Sequence, residues 1–153
     1  MMRSKMKIIL PVAAGLLAVV IISLFIVNDT RDITAKIERY CEKNNEISLS
    51  SVTSFDWDTA YFDYQAYTCG EEIKEKYNLK GDFKRIEADY FYRIAFCKDG
   101  NLVNDSILST VNIYFDHSIE IIKPETVFVA EWKTEADGTR ILYLSLKDSS
   151  KHT

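Results

Sequence analysis

Histidine, cysteine and glycine are scarce in this chain, and each shortage removes a class of chemistry. The 153 residues include two histidines, three cysteines and five glycines. His152 lies in the tail. His117 follows Asp116, but a Ser-His-Asp arrangement needs three groups converging in space, and no serine sits in a nucleophile-elbow pattern. The glycines occur singly, which excludes a phosphate-cradling loop. Cys41, Cys69 and Cys97 form no CxxC pair, which leaves no zinc or thioredoxin-like site. Three thiols cannot all pair within one chain. One disulfide plus a free thiol fits them, as do three buried free thiols packed as small hydrophobes. No repeat or low-complexity segment is present, and no cofactor or metal is expected.

What is present is a long apolar run. Ile8–Val27 carries no charge and as a helix would be about 30 Å long, the thickness of a bilayer's hydrocarbon core. Arg3, Lys5 and Lys7 precede it, while Asp29, Arg31 and Asp32 follow. Positive flanks stay cytoplasmic. The reading is a signal anchor over residues 1–28: a single-pass transmembrane helix, N-terminus inside, with an extracytoplasmic domain over residues 29–153 at the cell membrane. A cleaved signal peptide is the rival. Its apolar region is shorter and ends in small residues, whereas this run ends Leu24-Phe25-Ile26-Val27.

All 23 acidic residues follow position 28 but only 16 of the 19 basic ones do, which leaves residues 29–153 at −7. That balance argues against nucleic acid as a partner. Periodicity then gives an outline. Thr30–Lys43 reads as a helix with Ile33, Ile37, Tyr40 and Cys41 on one stripe. Glu46–Ser54 reads as a loop, Phe55–Tyr64 as a strand and Thr68–Tyr77 as a second helix with its acids early. Tyr90, Tyr92, Ile94 and Phe96 alternate along a strand that turns at Asp99-Gly100 and returns over Leu102–Ser109. Thr126–Thr134 and Arg140–Lys147 flank a second turn at Asp137-Gly138. Val111–Pro124 reads as a short strand plus loop. The expected fold is α+β: a four- to five-stranded antiparallel sheet with one face buried against two helices.

The distinctive local motif is Phe55-Asp56-Trp57-Asp58. On a strand, Asp56 and Asp58 share a face and could hold a hard cation, cap turns or keep an edge soluble. With Tyr61, Tyr67 and the acidic start Glu71-Glu72, the motif resembles a stretch in small, largely uncharacterised Gram-positive extracytoplasmic proteins, signal-anchored or lipoprotein-like, with an F-D-W-D-x-x-Y signature. The likeness spans about twenty residues plus a later Lys98-Asp99-Gly100 hairpin, and Ala66 stands where those proteins tend to have proline. It implies a bacterial, extracytoplasmic setting and no activity. Asp56, Trp57, Asp58, Tyr61 and Tyr67 are the candidate binding surface, with packing of strand on helix as the alternative. Arg93, inside an aromatic strand, is expected to pair with Asp105 or another acid, or to face solvent.

The functional expectation is a non-enzymatic binding or interaction module with an unknown protein partner, tethered through residues 8–27. One alternative is a hydrolase-like enzyme using Asp56, Asp58 and Glu71. Another is an accessory subunit of a membrane complex.

Overall fold

A computed structural model describes residues 33–147. Helix α1 (Ile33–Cys41) buries Ile37 and Cys41 and half-buries Ile33 and Tyr40, the stripe set by a 3.6-residue period. It ends where Asn44 Nδ2 donates to the Tyr40 carbonyl at 2.8 Å, satisfying an acceptor that the helix terminus leaves open. Helix α2 (Glu71–Tyr77) is a short second helix, closed by Asn78 in the left-handed region.

The described residues also form eight strands: β1 (Glu46–Ser48), β2 (Thr59–Asp63), β3 (Phe91–Lys98), β4 (Asn101–Ser109), β5 (Ile113–Phe115), β6 (Ile121–Ile122), β7 (Val127–Thr134) and β8 (Arg140–Leu146). They form two four-stranded sheets. Sheet one runs β1-β7-β8-β5 and sheet two runs β4-β3-β2-β6. Every pairing is antiparallel except β5 with β8, which is parallel. At the β3–β4 hairpin Asp99 and Gly100 have φ of 51° and 73°, the pair of positive values that a two-residue turn matched to strand twist requires.

The expected single sheet on two helices is therefore corrected to two sheets packed on each other. The β3–β4 and β7–β8 hairpins each carry their own apolar face, and helices of 9 and 7 residues are too short to cover either. Each sheet covers the other instead. Phe128, Leu142, Leu144, Ile113 and Phe115 from sheet one meet Ala60, Phe62, Tyr92, Ile94, Phe96 and Leu108 from sheet two in one cluster that also takes in Ile37 and Cys41. Glu46–Ser54, expected as a loop, contains β1 and a short 3-10 turn at Leu49–Ser51, and Ile47 and Leu49 from it enter the core.

Sheet two is also covered on its outer face. Ile73 and Leu79 from α2 and its exit pack on Ala95 and Cys97, with Tyr61, Tyr77, Phe83 and Leu102 around them. This second, smaller core explains why every residue of β3 from Tyr92 to Cys97 is buried. Strand alternation alone pointed to one buried face.

No helix among the described residues is long and apolar enough to cross a membrane. This corrects the membrane, transmembrane and signal-anchor reading, which finds no spanning helix in the fold. The segment Ile8–Val27 on which it rested lies outside the described residues.

Candidate functional site

The Phe55–Asp58 motif lies in the approach to β2, not within it, so Asp56 and Asp58 do not present a common strand face. Both serve the β3–β4 hairpin. Asp58 accepts the Asp99 N–H at 2.7 Å, and its own N–H donates to the Cys97 carbonyl at 3.0 Å. Asp56, exposed, pairs with Lys98. Between them Trp57 is buried, with its ring edge-on to Phe96 at 5.1 Å and its Nε1 donating to Thr53 Oγ1 at 3.0 Å. Phe55 meets the same Phe96 at 5.2 Å. The two sequence features that carried the resemblance, the motif and the Lys98-Asp99-Gly100 turn, are thus one physical corner.

The hydrogen bond from the Asp99 backbone, followed by one from Thr59, holds the Asp58 carboxyl below its ordinary value of 3.8. A depressed folded value means that Asp58 stabilises the fold above about pH 4 and loses that contribution as acid titrates it. The Asp58→Asn chain is accordingly expected to be less stable than wild type at pH 7, with the gap closing toward pH 2.5. Urea midpoints across that range check this, and a gap independent of pH would count against the carboxylate's role.

The other candidates are placed apart. Tyr61, half-buried on β2, packs its ring at a tilt against Tyr77 at 4.7 Å. Tyr67 is 62% exposed with φ of 56°, a left-handed backbone uncommon for a bulky residue. Glu71 is used at the start of its own helix, where it accepts from Thr68 Oγ1 at 3.0 Å and the Cys69 N–H at 2.9 Å. Its own backbone N–H, followed by the bonds from Thr68 and Cys69, holds its carboxyl below 4.5. Glu71 lies at the Arg93 end of β3 and Asp58 at the Asp99 end, six residues or about 20 Å apart along an extended strand. The acids expected to work together do not converge.

The most heavily buried polar cluster centres on Arg93, whose side chain is fully buried. Its Nη1 donates to Asp63 Oδ2 at 2.9 Å and its Nε to Asp105 Oδ1 at 2.8 Å, both acids being buried too. Nη2 donates to the Lys84 carbonyl, and Asp105 Oδ2 accepts the Lys84 N–H at 2.6 Å. The Phe83 ring stands 5.3 Å from the guanidinium carbon. Gly70, at φ 75°, approaches so closely that a Cβ there would lie 2.6 Å from Nη1. Burial raises the Asp63 carboxyl above its ordinary value, outweighing the pull of Arg93. The pairing of Arg93 with Asp105 was among the alternatives read from sequence. Asp63 is the other acid, and its place as a charge between Phe62 and Tyr64 is the signal that could have marked it.

A third feature was not foreseen. Parallel pairing sets Tyr114 beside Tyr143 on the outer face of sheet one, with ring centroids 5.1 Å apart. His117 stacks on Tyr114 at 5.3 Å and lies 4.4 Å from Tyr64. Lys133 stands 4.4 Å over Tyr143, whose hydroxyl donates to Glu135 at 3.1 Å. The strip runs from Tyr64, just past the end of β2, across to sheet one, and Val129, Glu131 and Lys133 on the outer face of sheet one are exposed. A shallow groove of about 210 Å³ lies elsewhere, between Arg85, Ile86, Glu87, Ala88, Phe91 and Ile107. That is below the roughly 300–1,000 Å³ of small-molecule sites. No group of three or more His, Cys, Asp or Glu among the described residues could hold a metal ion.

No family model matches the chain, and neither the curated proteins nor the solved structures contain a match to it.

Proposed function

We propose that this protein is a non-enzymatic interaction module that engages a protein partner through the aromatic strip of sheet one. The observation that carries the reading is the division of labour among its side chains. Asp56, Asp58, Glu71, Asp63 and Asp105 are each tied to a turn, a helix start or a buried guanidinium. Tyr114, Tyr143 and His117 lie on a face that leaves Val129, Glu131 and Lys133 open to solvent. Tyrosine is enriched at the centres of protein interfaces because it buries a large rigid ring and keeps a polar tip. The hydrolase alternative needs its carboxylates within reach of one bond, and the separation of Asp58 from Glu71 speaks against it.

The test is capture of a cross-linked partner by the full chain. Changing Tyr114→Ser and Tyr143→Ser together is expected to weaken capture at least about 30-fold, the effect of losing one hot-spot tyrosine. The pair Asp56→Asn and Asp58→Asn should leave it intact. Turnover of an ester, peptide or glycoside by the wild-type chain that vanishes in Asp58→Asn would overturn the reading.

A further inference from the structure

The two cores differ in size and in what else is buried with them. The core between the sheets is continuous and almost wholly apolar. The outer one rests on four buried residues, Ile73, Leu79, Ala95 and Cys97, and beside it sit one guanidinium and two carboxylates with almost no exposure. Desolvating such ions cancels much or all of their mutual attraction. Here the two acids outnumber the one base, and burial raises the Asp63 carboxyl in spite of the pull of Arg93. Lifting the covering segment would expose Ile73, Leu79 and Ile86, far less apolar surface than parting the two sheets, and would return three ions to water.

The covering segment is also lightly tied. Between Thr68 and Asp89 its only bridge to a strand among the described residues is Lys80 with Asn101, made by Lys80 N–H to the Gly100 carbonyl at 2.9 Å and Leu102 N–H to the Lys80 carbonyl at 2.7 Å. Further polar ties run through Lys84 to Asp105 and Arg93, through Lys76 and Tyr77 to exposed Glu120 and through Glu72 to Gln65. Gly70 and Gly81, at φ 75° and 133°, flank α2.

We propose that residues 68–89 form a cover that opens from sheet two as a unit while the sandwich of sheets stays folded, with the backbone bonds of Lys84 to Arg93 and Asp105 as its latch. Opening uncovers the outer face of β3 and β4 at Ala95, Cys97 and Leu102. Sub-global openings of this kind occur wherever a segment's local stability falls below that of the whole domain.

The chain carries its own reporters. Cys97 is 0% exposed in the outer core and Cys41 is 5% exposed in the main core, so static burial gives Cys97 no advantage in reactivity. In the full chain carrying Cys69→Ser, a thiol reagent is expected to label Cys97 at least about tenfold faster than Cys41 in dilute urea, with a shallower dependence on urea. Gly70→Ala, which drives a methyl group against Arg93 in a backbone region suited to glycine, should speed labelling of Cys97 and leave Cys41 unchanged. Equal rates and equal urea slopes for the two thiols, or faster labelling of Cys41, would mean that the cover leaves only with the whole fold and would overturn the proposal. The wild-type urea slopes decide the matter even where Gly70→Ala fails to fold.

Discussion

Replacing Arg93 with methionine is expected to destabilise the protein by about 3–5 kcal/mol, the cost of stranding buried charge after one partner is removed. Methionine keeps most of the stem's volume, so the loss is electrostatic rather than a cavity. It leaves the Asp63 and Asp105 side chains, each 3% exposed, with no cation between them. The pH dependence gives the sign. A stranded carboxylate has its folded pKa raised above its ordinary value near 4, so the fold holds a proton that the unfolded chain releases. The deficit is then small in mild acid and grows as pH rises toward neutrality. Lifting residues 68–89 rehydrates both acids, so the free energy of that opening sets a ceiling on the deficit. Urea unfolding at pH 5 and pH 8 measures it. A loss that stays the same at both would mean that water already reaches the cluster.

The second large effect is expected from Phe115→Ala, about 3–5 kcal/mol for a buried aromatic ring truncated to a methyl group. Phe115 is 1% exposed. Its ring lies 5.1 Å from Phe62 and 6.2 Å from Tyr92 on sheet two, and 5.1 Å from Phe128 on sheet one. It therefore sits where the sheets meet, and no single neighbour can move to fill its space without parting from another. Tyr114→Ala, one residue earlier with its ring on the outer face, serves as the control and should cost about 1 kcal/mol or less. Chemical unfolding of the two variants side by side checks the contrast. Similar losses would show that the sheets do not bury Phe115 as described.

The parts of the fold that were legible in sequence are those whose cause is local. Asp99-Gly100 marks its turn because the two residues themselves tolerate positive φ. The stripe of Ile37 and Cys41 follows from helix period alone, and Phe128, Leu142 and Leu144 follow from strand alternation. What was not legible depends on partners distant in the chain. β1 pairs with β7 about eighty residues later, and strands of three residues such as β1 and β5 are too short to show any period. The burial of both faces of β3 is fixed by α2 and the segment after it, so the alternation of Tyr92 and Ile94 with Arg93 and Ala95 could not reveal it. The Phe55–Asp58 motif looked like a strand because Phe55 and Trp57 alternate with acids. They do pack together on Phe96, but from a loop whose acids reach back to a hairpin.

The same long-range pairing orders events during synthesis. β2, β3, β4 and β6 all precede residue 123, so every member of sheet two has been made before the β7–β8 hairpin exists. Sheet one has no central strands until that hairpin emerges, and Ile47 on β1 waits for Phe128 opposite it. A nascent chain thus holds a finished half whose inner apolar face has nothing against it. That interval is when the polypeptide is most open to chaperones and to mispairing, and it ends only as β7 and β8, residues 127–146, leave the ribosome.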